Sequence, residues 1–73
     1  MIIYKRELER EDAENLSNNE ELIYYKSEDI AITINRVENR FIVRKVRIGD
    51  GEKLQESLLN TLDEAMEFID QIS

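Results

Sequence analysis

Three pairs of adjacent carboxylates, Glu11/Asp12, Glu20/Glu21 and Glu28/Asp29, mark the first half of this chain. A carboxylate pair is the least equipment that general acid–base catalysis needs. To act as acid and base near neutral pH, the two groups must have their pKa values driven apart by burial or by close like charge. All three pairs lie in polar stretches, where a solvated face is their expected fate. The other usual reactive groups are missing, since the chain has no His and no Cys. That removes the common proton shuttle, the thiol nucleophile and the soft metal ligands. Asp50-Gly51-Glu52 is a fragment of a calcium loop without the ligand spacing of the twelve-residue motif. No catalytic, cofactor-binding or metal-binding residue is therefore assigned, and the chain reads as a non-enzymatic protein that works by binding.

What it binds is suggested by charge. The net charge is −7, from 17 acids and 10 bases, and it is laid down in blocks. Residues 1–29 hold Glu7, Glu9, Glu11, Asp12, Glu14, Glu20, Glu21, Glu28 and Asp29. Residues 30–53 hold Arg36, Arg40, Arg44, Lys45, Arg47 and Lys53, and residues 54–73 hold Glu56, Asp63, Glu64, Glu67 and Asp70 with no base. Such a dipolar surface can meet a partner with either sign.

The acidic blocks nominate Glu7, Glu11, Glu14, Glu20, Glu21, Asp63, Glu64, Glu67 and Asp70 as contacts to a protein partner. Carboxylates spaced along helices can imitate a nucleic-acid backbone and occupy a basic groove. The expected role is a regulator or inhibitor that occupies a partner's surface. Its sharpest form is a phage or mobile-element product with an anti-defence or host-takeover role. Abundant Ile, Asn, Glu and Lys with little Gly and no Pro fit an AT-rich coding sequence. The alternative is a nucleic-acid-binding domain using Arg36, Arg40, Arg44, Lys45 and Arg47, because a small sheet can enter a major groove and present Arg to guanine edges and phosphates.

The elements that must carry these residues can be read from periodicity. Residues 2–5 are apolar enough for a short strand or for a hydrophobic tail on a helix. Residues 6–16 read as a weakly amphipathic helix, with Leu8, Ala13 and Leu16 on one side, ended by Ser17-Asn18-Asn19. Leu22–Lys26 carries a strand signal, Ser27-Glu28-Asp29 a turn, and Ile30, Ile32 and Ile34 alternate with Ala31, Thr33 and Asn35. A three-residue loop, Glu38-Asn39-Arg40, leads into a strand from Phe41 to Ile48, closed by Gly49-Asp50-Gly51. That loop length places the three isoleucines on one face with Ile42, Val46 and Ile48. The opposite face then holds Val37, Phe41, Val43, Lys45 and Arg47, with Arg44 as a misfit on the isoleucine face. Residues 52–57 fit either a fourth strand or a backward extension of the final helix. Thr61-Leu62-Asp63-Glu64 is a capping box opening a helix over 62–72 with Leu62, Ala65, Met66, Ile69 and Ile72 as its apolar stripe.

The expected fold is one small α+β domain over residues 1–73: a three- or four-stranded antiparallel sheet, a C-terminal helix on one face and a weaker N-terminal helix. A three-stranded sheet leading into Leu59-x-Thr61-Leu62-x-Glu64-Ala65 is loosely similar to the sheet-reading DNA-binding domains of some integrases and plant transcription factors. That resemblance covers about 40 residues and would imply duplex recognition by the sheet. The Trp and Gly landmarks of those domains are absent, and the net charge of −7 argues against nucleic acid as partner.

A chain of 73 residues has room for one small core. Without disulfides or a zinc site the remaining supplement to its stability is self-association. A homodimer is expected, its possible face being Val37, Phe41 and Val43, unless the N-terminal helix covers that face instead. No apolar run approaches membrane-spanning length. The start Met1–Arg6 lacks the apolar stretch of a secretory signal, so the cytoplasm is the default compartment.

Overall fold

The computed structural model describes residues 2–73. Seven elements follow in order: β1 (Ile2–Lys5), α1 (Arg10–Glu14), β2 (Glu21–Tyr25), β3 (Ile30–Val37), β4 (Arg40–Arg47), β5 (Lys53–Leu59) and α2 (Leu62–Ile72). The five strands form one sheet in sequence order. It is mixed, because β1 runs parallel to β2 while every later pair is antiparallel. The α+β class holds, whereas three or four antiparallel strands was too few and missed the parallel pair. Parallel neighbours need a long crossover, and residues 6–20 supply it by way of α1. The N-terminal helix is correspondingly shorter than 6–16. Its start is set by Glu9, whose amide donates to Asp12 Oδ2 at 2.9 Å.

The β3–β4 hairpin corrects the expected register. Val37 pairs with Arg40, leaving a two-residue loop of Glu38 and Asn39. Glu38 adopts φ 58°, a conformation that costs a glutamate energy. It is held there from outside the hairpin: its amide donates to Asn18 Oδ1 at 2.6 Å, and the neighbouring Asn19 amide donates to Arg36 O at 2.7 Å. Shortening the loop by one residue reverses the face of every β4 side chain. Ile32 and Ile34 therefore share their face with Val43 and Phe41, not with Ile42, Val46 and Ile48. Arg44 ceases to be a misfit, because it lies on the opposite face.

One face of the sheet is covered. Leu22, Ile32, Ile34, Phe41 and Val43 pack beneath Ala13 and Leu16 of the α1 segment and Ala65, Ile69 and Ile72 of α2. Both helices sit on this side, so the N-terminal helix does not cover a second face. Val37, Phe41 and Val43 do not form a common exposed surface either: Phe41 and Val43 are 5% and 0% exposed, and Val37 points to the other side of the sheet.

Residues 53–59 are strand, with the register slipping beside Val46 so that Leu54 has no opposite number. Such a bulge near an edge terminates regular pairing. The final helix spans 62–72 as its stripe implies. Thr61 Oγ1 accepts from the Glu64 amide at 3.1 Å, and the Glu64 carboxylate accepts from the Thr61 hydroxyl at 3.3 Å rather than from its amide. Among the described residues no helix is long and apolar enough to cross a membrane.

Candidate functional site

Most of the acidic residues nominated from the sequence are collected on the helical side. Glu7 precedes α1, while Glu11 and Glu14 lie on its exposed surface, and Asp63, Glu64, Glu67 and Asp70 are exposed on α2. The ion pair of Arg10 with Asp63 joins the first turns of the two helices, so their acidic ends meet. Lys5 offsets Asp12 at 3.4 Å. Among the described residues Glu67 and Asp70 have no ion pair. Two of the nominated acids fall elsewhere. Glu20 accepts from the Ser17 amide at 2.6 Å and so fixes the loop before β2, and Glu21 lies on the far face of the sheet.

The crowding has an electrical signature at Glu9. Its carboxyl is raised above the ordinary 4.5, first by a hydrogen bond shared with Glu11, then by the charges of Glu11 and Asp12. The helix α2 shows the same disregard for helix stability. Asp63 and Glu64 suit the positive end of the helix dipole. Glu67 and Asp70 do not, and the last turn has no base. Like charges three or four residues apart, as at Asp63/Glu67, Glu64/Glu67 and Glu67/Asp70, each cost a few tenths of a kcal/mol.

The basic residues of 36–47 are dispersed. Arg36 is a structural clamp: its Nη1 donates to Leu16 O at 2.8 Å and Glu14 O at 3.4 Å, and the guanidinium lies 5.7 Å from the Phe41 ring centre. It thus supplies the positive charge that the carbonyl end of α1 lacks. Arg44 is held by Glu56 and by Asn35 Oδ1 at 3.1 Å. Arg47 binds Asp50 at 3.2 Å and Glu52 at 2.7 Å. These bonds hold the acids down: Glu56 lies below 4.5, through Arg44 and then Lys53, and Asp50 lies below 3.8, chiefly through the Glu52 amide with Arg47 adding to it. By register Arg40 and Arg44 are on one face, with Arg36, Lys45 and Arg47 on the other. The five are not brought together as a groove-reading set would be.

No charged or polar residue is buried among the described residues, and none of their carboxylates form a metal-binding group of three or more. The hollows are shallow, the one beside Tyr25 holding about 670 Å³ among Arg6, Lys26, Ser27, Glu28 and Ile48. No family model, curated protein or solved structure matches the chain.

One feature left no trace in residue type. The sheet face away from the helices exposes Ile2, Tyr4, Tyr25, Val37 and Leu58. Its only sequence signal is a second set of apolar residues alternating with the core set, of which the assumed loop length misplaced those on β4, Ile42 and Val46.

Proposed function

We propose that this is a non-enzymatic module that binds a basic protein surface through its helical side, as a regulator or inhibitor acting by occupancy. The observation that carries the reading is the row Asp63, Glu64, Glu67 and Asp70 along α2, with no base on that helix, beside Glu11 and Glu14 of α1. Within that row Glu67 and Asp70 weaken the helix that bears them, so their charge has no stabilising purpose. Retaining such charge is the familiar trade of stability for a binding surface. Carboxylates on a rigid, packed helix have fixed spacing, so less backbone entropy is lost on docking to Lys and Arg. Charge of one sign also raises the encounter rate with a basic partner.

The test is competition. At about 150 mM salt the protein should give no gel shift with duplex DNA or RNA, yet displace nucleic acid from the basic groove it recognises. Reversal of Glu11, Glu67 and Asp70 to Lys should abolish displacement while the circular dichroism spectrum stays unchanged. A direct shift by the wild-type chain, lost on combining Arg40→Ala with Lys45→Ala, would instead make it a nucleic-acid binder.

A further inference from the structure

The strand register sets side chains of the uncovered face in rows running across the sheet. One row reads Ile2, Glu21, Asn35, Ile42, Leu58, and the next reads Tyr4, Ile23, Thr33, Arg44, Glu56. The face is apolar along β1, at Ile2 and Tyr4, and at Leu58 on β5, where Glu56 and Lys53 stand beside it. Tyr4 is 60% and Leu58 54% exposed, and the Tyr4 and Tyr25 rings are stacked with centres 6.0 Å apart. Stacked tyrosines are ready-made anchors, because little freedom remains for them to lose on binding. The charge on this face is also divided. The β1–β2 half carries Glu21, and the β4–β5 half carries Arg40, Arg44 and Lys53 against Glu56.

We infer that this face binds a second copy of the chain, with the two-fold axis lying between the sheets and along the strands. That operator maps every row onto itself and reverses its order. Ile2 of one copy then meets Leu58 of the other, at a depression of about 700 Å³ lined in part by Val37, Ile42 and Leu58. Glu21 falls over Ile42 of the second copy, flanked in the neighbouring rows by Arg40 and Arg44. Each contact occurs twice, as an isologous interface demands. The arrangement also turns both acidic helical sides outward, whereas any pairing through the helices would press like charges together.

The area is sufficient for a reversible dimer. The molecule measures 30 × 23 × 18 Å, and five strands about 4.8 Å apart make a face of about 500–700 Å² on each copy. The total, roughly 1,000–1,400 Å², lies at the lower end of specific interfaces, the range of weak and transient association. The inference stands independently of the role proposed for the acidic side.

Sedimentation equilibrium of the full chain tests it. A concentration-dependent dimer is expected, weakened at least about tenfold by Leu58→Lys, an exposed position where folding is retained. Glu21→Arg and Arg40→Glu should each weaken it, and the two combined should restore the wild-type constant to within about threefold, since the swapped charges attract again. Glu67→Lys should leave it unchanged. A chain that remains monomeric to about 0.5 mM overturns the inference. So does a dimer indifferent to Leu58→Lys, or a double charge swap that fails to restore association.

Discussion

The two faces of the sheet are built from similar residues and behave differently. The covered face holds Leu22, Ile32, Ile34, Phe41 and Val43, each at most 5% exposed; the open face holds Ile2, Tyr4, Tyr25, Val37 and Leu58, each at least 37% exposed. Hydrophobicity alone does not separate them. The difference is what crosses above: two helical segments with Ala13, Leu16, Ala65, Ile69 and Ile72 lie on one side, and among the described residues no element lies on the other. Apolar alternation specifies that a strand has faces. Which face becomes core is decided by the elements that arrive on it.

The largest effect that would sharpen this contrast is truncation on each side. Ile34→Ala should cost about 3–4 kcal/mol through a core cavity, enough to unfold most of a domain this small. Leu58→Ala, measured by urea titration at concentrations that keep the chain monomeric, should shift stability by less than about 1 kcal/mol. Equal shifts would mean that the open face is packed in solution.

Arg36 is the link between the two sides of the hairpin and α1. Arg36→Ala should cost about 2 kcal/mol, since the main-chain carbonyls of Glu14, Leu16 and Glu38 lose a charged donor. Arg36→Lys should recover little, because an ammonium cannot reproduce the planar fork or lie over Phe41 in the same way. Full recovery by lysine in thermal unfolding would reduce the clamp to simple charge.

A smaller effect comes from the centre of the open face. Thr33 Oγ1 is enclosed and has no hydrogen-bond partner. Thr33→Val keeps the shape and removes the enclosed hydroxyl, so it should stabilise by about 1 kcal/mol. Loss of stability would reveal a partner for that hydroxyl, such as a bound water.

The smallest effect is the pH profile, in which the two sides of the sheet oppose each other. Glu9 is raised above 4.5, so the fold favours its protonated form; its contribution is full below 4.5 and is lost as pH rises through the folded-state value. Glu56 and Asp50 are depressed below 4.5 and 3.8, so their contribution is full above those values and is lost as pH falls through the folded-state values. Thermal midpoints measured from about pH 3 to 7 should therefore pass through a maximum near the ordinary carboxylate range. Glu9→Gln should flatten the neutral limb and Glu56→Gln the acid limb. A profile that rises steadily to neutral pH would show that crowding at Glu9 has no weight.

Elements governed by local chemistry were readable in advance. The final helix was, because Thr61 caps its own third residue and the stripe from Leu62 to Ile72 has a period that any helix would bury. The strands at 22–26 and 30–37 were readable for the same reason, with one residue of error at each end of β2. The hairpin was not. A two-residue loop needs positive φ at Glu38, which is disfavoured for this residue type, and the Asn18 bond that holds it comes from 20 positions away. The wrong loop length then sent Phe41 and Val43 to a supposed outer face. The pairing of β1 was equally hidden, since four residues carry no sign of whether a neighbour is parallel or antiparallel.

The candidate site divides in the same manner. The sequence by itself determined the supply of groups: an excess of carboxylates, no imidazole or thiol, and a last helix with acids and no base. Those are matters of composition and local spacing. Only the tertiary structure decided which charges meet. It set the α1 acids beside those of α2, used Arg36, Arg44 and Arg47 in bonds to carbonyls and carboxylates, and left Glu21 and Arg40 on an open apolar face. The physical reason is that a charge's partner is chosen by distance in space, and in this chain that distance follows from a two-residue turn and one crossover.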